Sequence, residues 1–580
     1  MPLSNAAAAA ALCFAASTVA PVLLAQQPAA AGVAEQVAEA VASWTADYEA
    51  GRLAPHSPLQ KATRLQPHYT QLAQAAGFLS DAEYERLTHL DVLQKLLFYA
   101  EKNPTPGLTE EVLDVAAAGL EGSVLDRDSL ELRELGHWTL MRVEDQSCWF
   151  VILRAAAGER LALLEQNLPK AQAEESVSVG PARRVAALRL LGQRALPVFR
   201  STLEAALEDP DPRVRLGAAE AIQPPWRLGT MQVVAQLLGR ERHPVVSQAL
   251  VRLLKRMLER PPEGLAAEDR QLLVEGALAQ FGRAGWRTDM DLLDVVEAFP
   301  HKAAIPRLIE LLDLEQKNPD ALVSAINKRA SPLLRERAGG LLKGMTGALV
   351  PADDVAGWRA FWASEQDKIV VPPRLPRQDP EGTQVTFFGV PVKGGSIAFL
   401  IDTSGSMDDP PASAPQTGRR ARRVTTRLDA AKEQLVLATQ AMAPESQFLV
   451  LTFSSEARRW TQKPLKPSQR ATRSLTELLS RLNAHGGTNL YAGLVEALEA
   501  QDRRYGDTAL PQIDELFVLS DGEPTAGSVQ DPEELLELVA EANKYAKVRI
   551  HAVFTGTGAG KGPDLLKRLA EQNGGVFVQR

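Results

Sequence analysis

A group of oxygen-bearing side chains lies at the start of the last third of the chain. Asp402, Ser404 and Ser406 alternate in an Asp-Thr-Ser-Gly-Ser motif that directly follows the apolar run 396–401. Hydroxyl and carboxylate oxygens are hard ligands, so the motif suits Mg²⁺, Mn²⁺ or Ca²⁺ and does not suit soft metals. Alone, an Asp-x-Ser-x-Ser motif is a weak indication of a metal site, because the same residue types also form ordinary turns.

The elements around this motif alternate between strands and helices. Short apolar runs predict buried strands at 396–401, 447–453, 515–519 and 548–554. Helical spacing predicts helices near 427–442, 468–483, 490–500, 532–545 and 563–572. This alternation indicates a parallel, doubly wound, Rossmann-like α/β sheet. Ligands of such sheets bind at the carboxyl ends of the strands, which is where Asp402 stands.

Residues 385–580 resemble the von Willebrand factor A (VWA) family. Members carry an Asp-x-Ser-x-Ser motif after the first strand, a Thr in a loop before a helix, and an Asp after a later strand. The segments Gly486-Gly-Thr488 and Leu519-Ser-Asp521 supply the last two in matching contexts. The resemblance implies an intact metal-ion-dependent adhesion site. Its ligands would be Asp402, Ser404, Ser406, Thr488 and Asp521.

The resemblance also implies how such a site is used. In the family the serines and the threonine contact the metal, while the aspartates often act through water. We therefore expect Mg²⁺ (or Mn²⁺ or Ca²⁺) with an exchangeable position that a Glu or Asp carboxylate of a protein partner completes. The basic segment 419–423 follows the motif and could help to capture an acidic partner. The alternative is a solvated insertion without a specific partner.

Three functions stay open at this point. We favour a metal-dependent protein-binding module carried on a helical scaffold, and we predict no enzymatic activity. The alternatives are an exported structural protein whose metal only stabilises the fold, and a metal-dependent hydrolase that could use His485 as a base. The Ser404 region is not a Gly-x-Ser-x-Gly elbow, and no His-Glu-x-x-His motif occurs. The glycine-rich stretch 556–562 departs from the Walker pattern.

Helical patterns dominate the chain before the α/β region. Residues 32–175 predict helices, such as Leu108–Leu120, whose function the sequence does not indicate. Residues 176–365 repeat a helix–turn–helix pattern, as at Asp209–Ile222 and Arg242–Leu254, and resemble HEAT-type repeats stacked as a solenoid. A non-repeating helical bundle is the alternative. The proline-rich segment 366–384 predicts an extended linker before the VWA domain at 385–580.

The N-terminus and the charge bear on location and partners. Residues 6–25 are almost all small or apolar, which predicts a signal peptide at 1–31 or a retained membrane anchor. Either would export the protein to the periplasm, the cell surface or the medium, with membrane contact only if the segment is retained. The net charge of −8 argues against general nucleic-acid binding. The helical and α/β combination looks like that of exported multidomain bacterial proteins.

Overall fold

The computed structural model describes residues 97, 101, 104–124, 127–158, 179–313, 331–376, 385–410, 426–556 and 561–580 of the 580-residue chain. The predicted leader at 1–31 and the basic segment 419–423 lie outside these ranges, as do residues 557–560. Within these ranges, no helix is both long enough and apolar enough to cross a bilayer. The chain divides into two compact units, residues 1–116 with 132–179 and residues 117–131 with 180–580.

The described chain is helical as far as residue 365, as predicted. The α-helices are α1 (Pro106–Glu121), α2 (Arg127–Met141), α3 (Gln146–Ala157), α4 (Pro181–Arg194), α5 (Arg200–Ala206), α6 (Pro212–Ala221), α7 (Leu228–Arg240), α8 (Pro244–Glu259), α9 (Ala267–Leu278), α10 (Trp286–Ala298), α11 (Ala304–Leu312), α12 (Pro332–Thr346) and α13 (Val355–Glu365). Short 3₁₀ turns occur at Pro197–Phe199 and Gln366–Lys368.

Helix α3 shows how the sequence sets local structure in the first unit. The Asp145 side chain caps its N-terminus by accepting a hydrogen bond from Ser147 N at 2.7 Å. Gly158 ends the helix in the left-handed conformation, with φ of 88°. Cys148 and Trp149 are buried. Burial raises the pKa of the Cys148 thiol, as expected of a cysteine that serves as a packing residue.

Helices α4 to α13 form two layers in the second unit. Helices α4, α6, α8, α10 and α12 contact one another in that order, and helices α7, α9, α11 and α13 contact one another in a second layer. Successive helix pairs thus cover one another's apolar faces, as in a solenoid. The short helix α5 contacts α4 and α6. We call the described helices α4 to α13 the array. Their assignment to the HEAT type stays a prediction.

Polar caps followed by proline set where several array helices begin. The side chains of Asp211, His243 and Ser331 each accept a hydrogen bond from a backbone N–H of the first helical turn. A proline follows each cap at the first helical position, where its fixed φ is suitable and its missing N–H costs nothing. The repeating patterns at Asp209–Ile222 and Arg242–Leu254 contain two of these helix starts.

A six-stranded sheet forms the centre of the C-terminal region. Its strands are β3 (Ser396–Asp402), β4 (Gln447–Phe453), β5 (Ala457–Arg459), β6 (Glu515–Ser520), β7 (Arg549–Phe554) and β8 (Phe577–Gln579), in the spatial order β5-β4-β3-β6-β7-β8. A hairpin of β1 (Thr386–Phe387) and β2 (Val390–Pro391) precedes it. All neighbouring pairs in the sheet are parallel except β4 with β5. The predicted doubly wound α/β fold is confirmed.

Helices cover both faces of this sheet. They are α14 (Arg427–Ala441), α15 (Gln469–Arg481), α16 (Leu490–Ala497), α17 (Pro532–Asn543) and α18 (Lys561–Gln572). One buried cluster packs Leu435 of α14 and Leu475 of α15 against Phe399. The other packs α16, α17 and α18 against the opposite face, around Leu400 and Val518. The central strand β3 is buried along its whole length, which explains its unbroken apolar sequence.

The array packs against the amino ends of the sheet strands. Ser331, which caps α12, donates a hydrogen bond to Asp514, the residue before β6, at 2.7 Å. Arg287 of α10 donates to the carbonyl oxygens of Ala546 and Pro511 at 2.6 and 2.7 Å. These acceptors lie just before β7 and β6, so the array meets the sheet at the edge opposite the strand carboxyl ends.

Glu220 of α6 is the centre of this junction. Its carboxylate accepts hydrogen bonds from Tyr505 and Tyr545 at 2.8 and 2.6 Å and pairs with Lys544 and Arg189. Burial opposes ionisation of Glu220, but the charges of Lys544 and Arg189 and the hydrogen bonds outweigh it and lower the pKa to about 2. The ionised form of Glu220 therefore stabilises the contact between the array and the sheet.

We predict that Glu220→Gln lowers the free energy of unfolding of the second unit at pH 7 by about 3 kcal/mol. A pKa depressed from 4.5 to about 2 means that the contribution is complete above pH 4.5 and is lost as the pH falls towards 2. Urea denaturation across this pH range measures the effect. Glu310→Gln, which removes an exposed ion pair with Arg307, is the control. If the two substitutions lowered the free energy of unfolding equally, the Glu220 cluster would contribute no more stability than an exposed ion pair.

Candidate metal centre

The Asp-Thr-Ser-Gly-Ser motif is placed by the end of the central strand. Asp402 is the last residue of β3, and residues Gly405–Asp408 form a 3₁₀ turn after two intervening residues. One carboxylate oxygen of Asp402 accepts a hydrogen bond from Ser404 N at 2.8 Å, and the other accepts one from Ser520 Oγ at 2.5 Å. Asp402 and Ser404 are buried, whereas Ser406 is exposed. The motif therefore combines a buried, hydrogen-bonded carboxylate on Asp402 with a more accessible hydroxyl group on Ser406.

The surroundings of Asp402 resist its ionisation. Burial raises the pKa of its carboxyl to about 6, and the negative charge of Asp521 adds to this effect. Hydrogen bonds from Ser520 and Ser404 act in the opposite direction. A buried carboxylate whose ionised form is this poorly compensated favours a nearby cation.

Asp521 comes to the same place from the neighbouring strand. It directly follows β6, which pairs in parallel with β3. Ser406 Oγ donates a hydrogen bond to Asp521 Oδ1 at 2.9 Å and lies 3.3 Å from Ser404 Oγ. The structure thus brings Asp402, Ser404, Ser406 and Asp521 together at one edge of the sheet, as predicted from the sequence.

Thr488 reaches this edge through its loop. The Gly486 carbonyl accepts a hydrogen bond from Gly405 N at 3.0 Å, inside the Asp-Thr-Ser-Gly-Ser motif. The Thr403 carbonyl accepts one from His485 N at 2.8 Å. Gly486 has φ of +78°, a conformation that glycine adopts without strain. Thr488 itself is buried, immediately before the N-terminal cap of α16. All three predicted loops therefore converge.

Three further residues support the predicted ligands and were not identified from the sequence. Ser520 donates to Asp402, as described above. Thr525 Oγ1 accepts a hydrogen bond from Thr488 N at 2.9 Å. The guanidinium of Arg427, the first residue of α14, pairs with Asp521 Oδ2. Ser520 directly precedes the predicted ligand Asp521, Thr525 lies four residues after it, and Arg427 is the first residue of a predicted helix. Only the folded loops show which group each of them contacts.

The donor set fits a hard divalent cation. The five predicted ligands offer only oxygen atoms, from three hydroxyl groups and two carboxylates. In the described ranges, no group of three or more His, Cys, Asp or Glu side chains could hold a metal. A cation at this edge would therefore depend on Ser404, Ser406 and Thr488 as well as on the two aspartates.

His485 provides little support for hydrolytic chemistry. Its side chain is exposed, and its Nδ1 lies 3.0 Å from the carbonyl oxygen of Asn483. Its backbone N–H, rather than its ring, connects it to the Asp-Thr-Ser-Gly-Ser motif. The residue thus contributes to the position of the loop.

Comparisons with known proteins identify the C-terminal region. Residues 417–578 match the family model of the von Willebrand factor type A domain. The inter-alpha-trypsin inhibitor heavy chain 4 of Mus musculus is 28% identical over 191 residues, which are 32% of this chain and 18% of that protein. The von Willebrand factor A domain-containing protein 5A of Mus musculus is 26% identical over 187 residues, 32% of this chain and 21% of that protein.

A solved von Willebrand factor type A structure from Catenulispora acidiphila is 26% identical to this chain. The match covers 32% of this chain and 38% of that one, with a TM-score of 0.24. The family model and the sequence relatives place a VWA domain in the C-terminal region, as predicted. The matched segments cover less than a quarter of the length of the two mouse relatives.

We predict that Thr525→Val loosens the Thr488 loop. The substitution removes the acceptor of Thr488 N, which costs about 1 kcal/mol locally and corresponds to roughly fivefold faster amide exchange at Thr488. Hydrogen exchange measured by NMR or mass spectrometry over residues 486–490 tests this. Thr476→Val, which removes an exposed threonine hydroxyl from α15, is the matched control. Unchanged exchange at Thr488 in Thr525→Val would contradict the proposed support.

Proposed function

We propose that the chain is an exported, metal-dependent protein-binding protein and not an enzyme. Asp402, Ser404, Ser406, Thr488 and Asp521 would hold Mg²⁺, or Mn²⁺ or Ca²⁺, at the carboxyl edge of the VWA sheet. A Glu or Asp carboxylate of a protein partner would bind to this cation at an exchangeable coordination position. The observation that carries the proposal is the convergence of three loops that together carry three hydroxyl groups and two buried carboxylates.

The charge of the site supports an acidic partner. Asp402 and Asp521 supply two negative charges, and the Arg427 guanidinium already pairs with Asp521. The remaining predicted ligands are neutral hydroxyl groups, so a divalent cation held here would keep positive charge for an incoming carboxylate. The exposed hydroxyl of Ser406 lies on the accessible side of the group, where such a carboxylate can approach.

The array supports the proposed scaffold role. Its contacts through Ser331 and Arg287 reach residues before β6 and β7. Attachment at the amino ends of the strands leaves the carboxyl-end loops for recognition. The array would then hold the VWA domain in place during binding, in an assembly or adhesion role.

Export rests on the sequence. The apolar segment at 1–31 is the reason for placing the protein in the periplasm, at the cell surface or in the medium. We propose contact with a membrane only for a chain that retains this segment, and we propose no nucleic-acid partner.

We predict that the full chain binds Mn²⁺ and Mg²⁺ and that Ser404→Ala weakens binding by about tenfold or more, because a predicted ligand is lost from the site. Isothermal titration calorimetry measures the affinity. Ser480→Ala, which changes an exposed serine on α15, is the control. Capture of envelope proteins on the immobilised chain should require Mg²⁺, and both chelator and Ser404→Ala should abolish it.

The same experiments separate the alternatives. A metal that raises the unfolding temperature without any metal-dependent partner would indicate a purely structural role. Metal-dependent turnover of an ester or peptide library would indicate a hydrolase. Absence of Mn²⁺ and Mg²⁺ uptake by the folded chain would overturn the proposed metal centre.

A further inference from the structure

Arg427 places a guanidinium group inside the proposed metal centre. Its Nη1 pairs with Asp521 Oδ2 and donates to the Ser406 carbonyl oxygen at 3.2 Å. Asp521 in turn accepts the hydrogen bond from Ser406 Oγ. A guanidinium group thus contacts two of the five proposed ligands. The guanidinium group of arginine carries a positive charge in proteins.

This guanidinium is buried and only partly compensated. Its side chain is 8% exposed, while the side chain of Asp521 is fully buried. Arg427 Nε is buried without an acceptor among the described residues. Among the described residues, the one further carboxylate in reach is that of Asp409, at 3.6 Å, whose side chain is 63% exposed and therefore screened by solvent. Most of the charge of Arg427 is directed towards Asp521 and the proposed site.

We propose that Arg427 determines the specificity of the site by weakening its hold on the divalent cation and strengthening its hold on an acidic ligand. This inference rests on the proposed function. The charges of Asp402, Asp521 and Arg427 add up to −1, and a bound divalent cation brings the total charge of the centre to +1. Without Arg427, the same sum is zero.

The two effects have opposite signs for a simple electrostatic reason. A fixed positive charge repels a cation and attracts an anion that bind at the same place. A residue that merely keeps the loops folded would, when replaced, weaken both kinds of binding. Opposite changes in cation and anion affinity therefore distinguish a charge effect from a structural one.

The test compares the full-length chain with Arg427→Met, which keeps much of the side-chain volume and removes the charge. We expect Mn²⁺ to bind about tenfold more tightly to the variant, and acetate to bind the Mn²⁺-loaded variant about five- to tenfold more weakly, as the loss of one nearby unit charge implies. Calorimetry measures the Mn²⁺ affinity. Water-proton relaxation by bound Mn²⁺ measures acetate binding, because acetate displaces a coordinated water.

Two further variants serve as controls. Arg427→Lys keeps the charge and should change both affinities by less than about threefold. Arg459→Met removes a comparably buried arginine that pairs with Glu496 and Glu499 on the same domain, and it should leave both affinities unchanged.

Opposite changes in Arg427→Met, with near-normal values in the controls, support the inference. Parallel weakening of both affinities, or no change in either, overturns it while leaving the metal centre in place. If Arg427→Met does not fold, unchanged affinities in Arg427→Gln would likewise overturn it, and opposite changes there would support it. Failure of the wild-type chain to bind Mn²⁺ overturns the proposed function and, with it, this inference.

Discussion

The parallel pairing of β3 with β6 is the constraint on which the candidate centre depends. Ile397 lies opposite Glu515, and Ile401 lies opposite Leu519, so Asp402 and Asp521 leave the sheet at the same edge on adjacent strands. Strand β4 flanks β3 on its other side, and the direction of winding therefore reverses between β3 and β6. Loops diverge at such a switch point, which leaves space for a ligand. A one-residue slip of β6 would turn its buried side chains to the opposite face and move Asp521 away from Ser406.

Because the strands are parallel, the contacts with the array and the proposed ligands lie at opposite edges of the sheet. The array is attached through residues before β6 and β7, including Asp514 and Ala546, whereas the proposed ligands follow β3 and β6. The central strand β3 links the two edges, because Ser396 N donates to Asp514 at one end and Asp402 lies at the other. Attachment and recognition can therefore use the same rigid sheet without competing for the same loops.

The sequence predicted the buried parts of this architecture better than its edges. Strands such as Ser396–Asp402 are apolar throughout, so burial on both faces shows directly in their composition. The edge strand Ala457–Arg459 is short and polar, and its strand character comes from pairing with β4. Within the centre, the resemblance to a known family motif was enough to predict that Asp402, Ser404, Ser406 and Asp521 lie close together. The contact of Arg427 with Asp521 depends on how α14 packs, and neither spacing nor residue type encodes that contact locally.

The Glu220 cluster and the candidate metal centre differ in how far their negative charges are compensated. At the amino end, the carboxylate of Glu220 meets Lys544, Arg189 and two tyrosine hydroxyl groups, and its pKa falls to about 2. Its ionised form is fully satisfied, which suits a structural contact that needs no further ligand. At the carboxyl end, Asp402 and Asp521 face one buried cation, and the pKa of Asp402 rises to about 6. Both ends bury carboxylates, so burial alone does not distinguish them. The net negative charge of Asp402 and Asp521 distinguishes the candidate centre from the Glu220 cluster, because the single guanidinium group of Arg427 does not neutralise both carboxylates, whereas a bound cation would.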